Sequence, residues 1–587
     1  MSMTKDEVGA VLEGITQLLE LKGENPFKIR AYQNAARAIE SYSGNLETAA
    51  REGRLQEIPG IGQAIAEKIG ELYATGRLAY YEELKAEFPA GIFEMFELMG
   101  LGPKKIRALY DRLGITSLDA LEAACKDGRV AGLAGFGEKT AANILHSLDQ
   151  RRSFAGSFLL SVAVEAAETI YEDLRAHPEV SQLAIGGSTR RRKEVVHDLD
   201  FVVASKRPEA VTAFFTTHPL VESVIMSGAT KSSVRLKNGL QADLRVVTNA
   251  QYPFALNYFT GSKEHNIALR SRALQHGWSL NEYRLSPVEN GRQTPEPIPE
   301  VTQESDLYRA LGLDFVEPEL RENLGEIAAA ETHTLPDLVA LENLRGTFHC
   351  HTTASDGHAS LEEMAEAARE LGLQYLGIAD HSKSSFQAHG LDEARLLEQV
   401  EAIRRLNATF DDGFRLFAGV ECDILKDGSL DFSDAVLSQL DYVVASVHSV
   451  FNLTEAEMTK RIIRAIGNPH VTMLGHPSGR LLLSRPAYAL DLPAVIEAAS
   501  KTGTMIELNG SPQRLDLDWR WWPLAKKKGV RCVINPDAHS IASFHYLWFG
   551  VAEARKGWLT RADVANCLPL GKIEAVLGEK RKRAGRL

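Results

Sequence analysis

From residue 344 to about 575 the chain repeats one pattern: a short apolar run, a polar loop, then a stretch whose apolar residues recur at helical spacing. The apolar runs end near Phe348, Ile378, Val420, Val447, Leu474, Leu508 and Ile534. Strands alternating with helices pair in parallel, because the helix is the crossover that returns the chain to the same sheet edge. Seven such units predict a parallel, barrel-like fold with its chemistry at the carboxyl ends of the strands. Metal-type side chains gather there. His349 and His351 flank Cys350, Asp356 follows in the loop, and His381, Glu421, His448, His476, Asp537 and His539 stand at or just after later strand ends. Six of the seventeen histidines fall in this set. Imidazole mixed with carboxylate favours Mn2+, Zn2+ or Fe2+. Strand alternation puts both imidazoles of His349 and His351 on one face and leaves Cys350 as buried filler on the other. Asp380 either orients His381 or caps its strand, and Arg480 and Arg514 either contact phosphate or stay on the surface.

At 587 residues the chain exceeds what one core holds, so three or more folded units are expected. No apolar run is long enough to span a bilayer, and the start MSMTKDEVGAVLEG has no basic head before an apolar stretch. Cys125, Cys350, Cys422, Cys532 and Cys567 are scattered without a CxxC pair, which reads as free thiols in a reducing compartment. A soluble cytoplasmic protein, expected to be a monomer, follows. The net charge of −12 argues against bulk adhesion to nucleic acid but leaves local patches. These are Arg190 to Lys193 and the run Lys580 to Arg583, the latter read as a solvated tail.

Up to about residue 150 the spacing is helical, and one phrase recurs: Ile58-Pro59-Gly60-Ile61-Gly62, Leu98-Met99-Gly100-Leu101-Gly102 and Leu133-Ala134-Gly135-Phe136-Gly137. Two glycines around an apolar residue permit a tight turn whose backbone amides, at the next helix start, can meet a phosphate. Three copies make a helix-hairpin-helix reading, with Gly60, Gly62, Gly100, Gly102, Gly135 and Gly137 contacting DNA backbone irrespective of sequence.

Between about 157 and 250 the pattern becomes α/β, with a helix through Ala163 to Leu174 and apolar strands at Val180 to Gly186, Leu199 to Ala204 and Val234 to Val247. Period two on the strand from Asp198 puts Asp198 and Asp200 on one face, roughly 7 Å apart. Asp243 joins them if its strand is a sheet neighbour. Like charges this close need cations, and an oxygen-only trio suits Mg2+ shared with phosphates. Upstream, Gly186-Gly187-Ser188-Thr189-Arg190-Arg191-Arg192 forms a strand-ending turn able to hold a polyphosphate. Together they signal a nucleotidyltransferase.

Gly187-Ser188, Asp198-x-Asp200, Asp243 and Tyr258-Phe259-Thr260-Gly261-Ser262 with Asn266 and Arg270 keep the order and spacing of the family X DNA polymerases, which the chain resembles over about residues 1–317, including Asn25-Pro26-Phe27-Lys28. The resemblance implies that Asp198, Asp200 and Asp243 bind two Mg2+ or Mn2+ ions, with Asp243 receiving the primer 3′-hydroxyl proton. It further implies that Gly187, Ser188 and Arg191 contact the incoming deoxynucleoside triphosphate, that Tyr258, Phe259 and Gly261 line the sugar, and that Asn266 and Arg270 touch the nascent pair. Two positions depart from the family pattern: His197 stands where Gly is common, and Ser157 where bacterial members often have Arg. Lys68 matches a Schiff-base lysine of some relatives. With Ala64 at a neighbouring position that is otherwise basic, it reads first as a helix-surface lysine and second as a lyase residue.

The nine ligands His349, His351, Asp356, His381, Glu421, His448, His476, Asp537 and His539 resemble in order those of the polymerase and histidinol phosphatase (PHP) domain, a distorted seven-stranded barrel with three metal ions. The two resemblances together imply a bacterial family X polymerase acting on gapped or primed DNA, with a 3′-5′ exonuclease, and an abasic-site endonuclease as a further option. The fold class expected is multidomain α/β. A helical end-binding domain (1–80) and a fingers-like helical domain (81–150) precede a nucleotidyltransferase palm (151–250) and a small thumb (251–317). A linker (318–343), the barrel (344–575) and a basic tail (576–587) complete it. Two other readings stand beside this: a DNA-targeted nuclease or phosphomonoesterase without synthesis, and a non-catalytic DNA scaffold.

Overall fold

Apolar residues three and four apart give the amino-terminal helices one sticky stripe each. On the helix Lys5–Lys22 the stripe is Val8, Leu12, Ile15 and Leu19, and it is buried against Tyr32, Ala35, Ala36 and Ile39 of the helix Pro26–Glu40. The structure, a computed structural model, describes residues 3–584 except 4, 41, 43–45, 97, 99–100 and 289–296. It divides into two units, Met1–Ala155 and Gly156–Leu587.

Helices are the only regular elements among the described residues of the first unit. The helix Gln63–Thr75 starts directly after Gly62, and Pro103–Leu113 starts after Gly102 with a proline at its first position. The third hairpin differs: the helix Gly137–Phe154 begins at the second glycine itself, with Phe136 as its cap. Gly100 lies outside the described residues.

The second unit opens with a five-stranded sheet in the spatial order Gln182–Ile185, Asp198–Ala204, Gln241–Val247, Lys231–Leu236, Val221–Ser227. The apolar stretch from Val234 to Val247 is therefore two antiparallel strands and a turn. Asp198–Ala204 and Gln241–Val247 run parallel, with Asp200 directly opposite Asp243. Helices Leu160–Ala176 and Pro208–Thr216 cover this sheet through Ala163, Ala167, Ile170, Val211 and Phe215. Leu515 and Phe549, from the carboxyl-terminal region, lie in the same core.

The segment 318–343 is more than a connector. Leu320, Ala330 and Leu338 are buried with Phe254, Leu269, Trp278 and Tyr308. Two of its acidic residues face cations in place of water: Glu319 pairs with Arg192 and Arg555, and Glu322 with Arg191 and Lys556.

Beyond it the strands are all parallel. Gly346–Cys350, Tyr375–Ile378 and Arg415–Ala418 form one sheet, and Glu421–Asp423, Val444–Ser446, Met473–Leu474, Met505–Asn509 and Cys532–Asn535 the other. Parallel bridges His381 to Glu421 and Cys350 to Ala538 link their edges. The basic run near the end is not a free tail, because it belongs to the helix Leu570–Ala584, which buries Ile573 and Leu577. Lys580 is itself buried and donates to the carbonyls of Ile466 and Val471 at 2.6 and 2.7 Å. A local charge run gave no sign of those acceptors, more than a hundred residues away. No helix among the described residues is long and apolar enough to cross a membrane.

Candidate metal centres

Parallel register decides the first centre. With Asp200 opposite Asp243 and Asp198 two residues before it on the same strand, all three carboxylates project from one face. Burial, with Asp198 and Asp243 adding, pushes the Asp200 carboxyl up to about 7, and burial and Asp243 likewise raise Asp198. Acids whose ionised forms are disfavoured this strongly are a site a divalent cation would relieve. Gly187 closes over them: at its φ of +61°, a Cβ would stand 2.1 Å from the Asp200 Oδ2, so no side chain fits.

The turn that carries Gly187 and Ser188 continues into three arginines, each matched to a carboxylate. Arg190 forks onto Glu304 at 2.7 and 3.0 Å, and Glu304 also accepts from the buried Arg321 at 2.6 Å. Arg191 reaches Glu322 at 3.2 Å and the Thr260 carbonyl. Arg192 meets Glu319 at 3.1 Å. Lys556, fully buried, donates to Glu322 at 2.8 Å and to the carbonyls of Arg191 and Glu319 at 3.1 and 3.3 Å. The basic run offered as a local nucleic-acid patch is thus largely neutralised within the fold.

Tyr258 and Phe259 end the helix Tyr252–Thr260 with their rings edge to face at 5.1 Å. The Asn266 side-chain amide donates to the Tyr258 carbonyl at 2.8 Å, and Arg270 lies 5.7 Å from the Tyr258 ring centre. The Phe259 carbonyl is in turn close to Gly186, so this segment borders the three aspartates. The two departures from the family pattern meet each other: Ser157 Oγ and His197 Nε2 are 3.4 Å apart. In the first unit, Lys68 Nζ donates to the Ala64 carbonyl at 3.2 Å and lies 4.9 Å from the Tyr80 ring centre, with Lys28 over the same ring.

The second centre assembles all nine residues singled out from the sequence. Their donor atoms fall into four overlapping groups, each within 4.8 Å: His351, Asp356, His381, His539; His349, His351, Glu421; His349, His476, Asp537; and His381, Glu421, His448. Glu421 is the hub, with His381 Nδ1 and His476 Nε2 at 2.8 Å and His349 Nε2 and His448 Nε2 at 3.2 Å. His349 does not lie on a regular pleat as expected. The ladder bulges between Thr347 and Cys350, and His349, like Asp537, takes a left-handed φ. Such strain, seen at donor residues, points to function.

The donor set fits cations on one further observation. His349 Nε2, both ring nitrogens of His351, His381 Nδ1, His476 Nδ1 and Glu421 Oε2 are buried, and the close contacts among them lack hydrogen-bond geometry. Orphaned buried donors and acceptors are costly, and here they converge on common points, as ligands do. Burial would lower His448, but Glu421 and then Asp423 outweigh it and raise the imidazole to about 9.

Behind the donors stand carboxylates that the sequence reading passed over. Glu507 accepts from His349 Nδ1 at 2.6 Å and is itself fixed by Asn509, Asn535 and the His476 amide. Asp423 holds His448 Nδ1 at 3.1 Å. Such partners set ring orientation and basicity. Asp423 was legible, sharing a strand face with Glu421; Glu507 carried no local signal. Asp380 neither orients His381 nor merely caps the strand: it takes hydrogen bonds from Thr352, Ser355 and Gln399, which ties down the loop bearing Asp356. Arg514 lines the cavity, 3.4 Å from Asp537, whereas Arg480 is consumed by Asp518 and the carbonyls of Arg514 and Leu515.

Comparison with known proteins follows the same division. The helix-hairpin-helix domain family matches residues 3–78, the SAM-like helix-hairpin-helix tandem 94–150, the DNA polymerase beta thumb 255–322 and the PHP domain 347–508. The chain is 39% identical over 578 residues, 98% of its own length and 99% of the relative's, to the DNA polymerase/3′-5′ exonuclease PolX of Bacillus subtilis. It is also 32% identical over 250 residues, 40% of its length and 96% of the relative's, to a probable phosphatase of Thermoanaerobacter sp.. A probable phosphatase of Caldicellulosiruptor saccharolyticus is 34% identical over 207 residues, 32% of this chain and 78% of that one.

Proposed function

The chain belongs to the bacterial PolX family of DNA polymerase/3′-5′ exonucleases with a carboxyl-terminal PHP domain, and from that premise we propose a division of labour between its two centres. The palm extends primers on gapped or primed DNA from deoxynucleoside triphosphates, and the PHP region removes nucleotides from 3′ ends and can open abasic sites. The carrying observation is that two donor sets of different chemistry, one of oxygen alone and one of imidazole with carboxylate, stand on separate parallel-strand edges. Mg2+ or Mn2+ suits the first, and three ions drawn from Mn2+, Zn2+ and Fe2+ suit the second. Counting Arg415–Ala418 and Glu421–Asp423 as one interrupted strand, the parallel strands and the bridges between their sheets support closure into a distorted seven-stranded barrel. Five buried cysteines without a disulfide suit the cytoplasm, and the protein is read as a monomer.

In synthesis, divalent ions supply charge neutralisation at the phosphates and activate the nucleophile. The chain does the rest by placement. Asp198, Asp200 and Asp243 would hold the ions, and Asp243 takes the proton from the primer 3′-hydroxyl. The Gly187 amide and Ser188 hydroxyl donate to phosphate oxygens. Arg191, kept by Glu322 beside the Thr260 carbonyl, turns its guanidinium to the triphosphate. Tyr258 and Phe259 border the sugar, and Asn266 and Arg270 sit where the new pair forms. The helix starts at Gly62, Gly102 and Gly137 take DNA backbone phosphates. In hydrolysis the nine donors would hold ions that bind the scissile phosphate, and Arg514 offers it a cation from the cavity wall. Gapped-duplex extension tests the reading: wild type should add nucleotides, and Asp198→Ala should reduce addition by several orders of magnitude. Equal, negligible addition by both would refute it and favour a nuclease that merely docks on DNA.

A further inference from the structure

Phe386 is the most exposed large apolar side chain among those described, with 85% of its surface open to water. It sits on a single turn, Phe386–Ala388, in the loop that follows His381, and it lines the same cavity of about 570 Å³ as Asp356, His381, Glu421, His448, Asp537 and His539. A ring this open, set on the wall of the donor cavity, offers a flat apolar face to whatever enters that cavity.

The turn is held firmly. Ser385 Oγ donates to Asp423 at 2.7 Å, the same carboxylate that fixes His448, and the Ser384 amide donates to Asp431 at 2.9 Å. Ser385 also closes the turn through its carbonyl, which accepts from the amides of Ala388 and Gly390. At Gly390 a Cβ would stand 2.0 Å from the Ser382 carbonyl oxygen, so only glycine lets the loop close. Phe386 is therefore a ring presented on a rigid mount that shares a carboxylate with the metal-type donors, and its place at the cavity rim is fixed before any ligand arrives.

We propose that Phe386 is a base-stacking platform that seats the terminal nucleobase of a single DNA strand while the scissile phosphate lies among the nine donors. The proposal rests on the exonuclease reading of the PHP centre. Stacking suits a nuclease that must accept any base, because every base has a π-face, whereas hydrogen-bond readout would restrict the sequence. The rim carries Ser384, Ser385 and Gln387 as polar neighbours and no second large aromatic among the cavity's lining residues.

The test compares full-length wild type, Phe386→Ala and Phe386→Trp, each loaded with Mn2+. The substrates are two single-stranded oligonucleotides, one ending in two natural thymidines and one ending in two dihydrothymidines, whose saturated, non-planar bases stack poorly. Wild type should prefer the natural end by about tenfold in kcat/KM, carried mainly by KM, as expected for one stacked base. Phe386→Ala should erase that preference and Phe386→Trp should restore it, with all three proteins binding the same amount of Mn2+. A preference that persists in Phe386→Ala overturns the stacking role while leaving the exonuclease reading in place. A wild type inert on both substrates overturns the exonuclease reading and this inference with it.

Discussion

Lys556, at the end of the helix Tyr546–Lys556, ties that helix to the turn after Gly187 and to the segment around Glu319 and Glu322, and its removal should be felt in stability. The side chain is fully buried and serves three acceptors: Glu322 at 2.8 Å and the carbonyls of Arg191 and Glu319 at 3.1 and 3.3 Å. Lys556→Met keeps the volume but removes every donor. All three bonds are donated by the one ammonium, and at the lower end of about 1.5–3 kcal/mol each they sum to about 4.5 kcal/mol. That agrees with about 3–5 kcal/mol for breaking a buried pair from one side. Glu322→Gln removes the charge that Lys556 balances, so the double variant should cost less than the two single changes added, by at least about 1 kcal/mol. Urea unfolding followed by tryptophan fluorescence is a suitable assay, since the Trp519 ring centre lies 4.8 Å from Lys556 Nζ. Losses that add to within about 0.5 kcal/mol would refute the coupling.

Other outcomes follow from single groups. Lys580 is held down to about 7 by burial, against 10.5 when free, so between those pH values the unfolded chain binds more protons and folding stability rises with pH. Thermal unfolding at pH 7 and 9.5 should show that rise in wild type and a smaller one in Lys580→Met; equal slopes would contradict it. Glu421→Gln weakens the hub that four imidazoles share, so the purified protein should carry fewer divalent ions by elemental analysis while still extending primers. Unchanged metal content would count against the hub. Ser360→Ala removes a reciprocal cap between Ser360 and Glu363 at the start of the helix Leu361–Glu370 and should cost about 1 kcal/mol by denaturant unfolding.

What the sequence disclosed and what it hid divide along physical lines. Strand periodicity placed Asp198 and Asp200 on one face, and the order of strand ends gathered the nine donors of the second centre, because both depend on local geometry repeated along the chain. The pairing of Asp243 with that face needed the parallel register of two strands more than forty residues apart, which periodicity alone left open. Glu507 is one acid inside an apolar strand, and nothing local to Glu319, Glu322 or Lys556 announces a buried partner. Each acquires its role only from a partner brought close by the fold. The run ending in Arg583 misled for the same reason: charge density along a sequence says nothing of carbonyls waiting at Ile466 and Val471. Bulges escape the period-two rule, which is why His349 reached its neighbours by a route the alternation did not foresee.

The most direct measurement exchanges the two lesions on one gapped duplex, labelled at the 5′ end of the primer strand and supplied with Mn2+ and all four deoxynucleotides. Asp200→Asn should abolish elongation and leave shortening of the labelled strand at wild-type rate, and His381→Ala should do the reverse. If either single substitution silenced both reactions in a protein that remained folded, two independent cation centres could not be the basis of its chemistry.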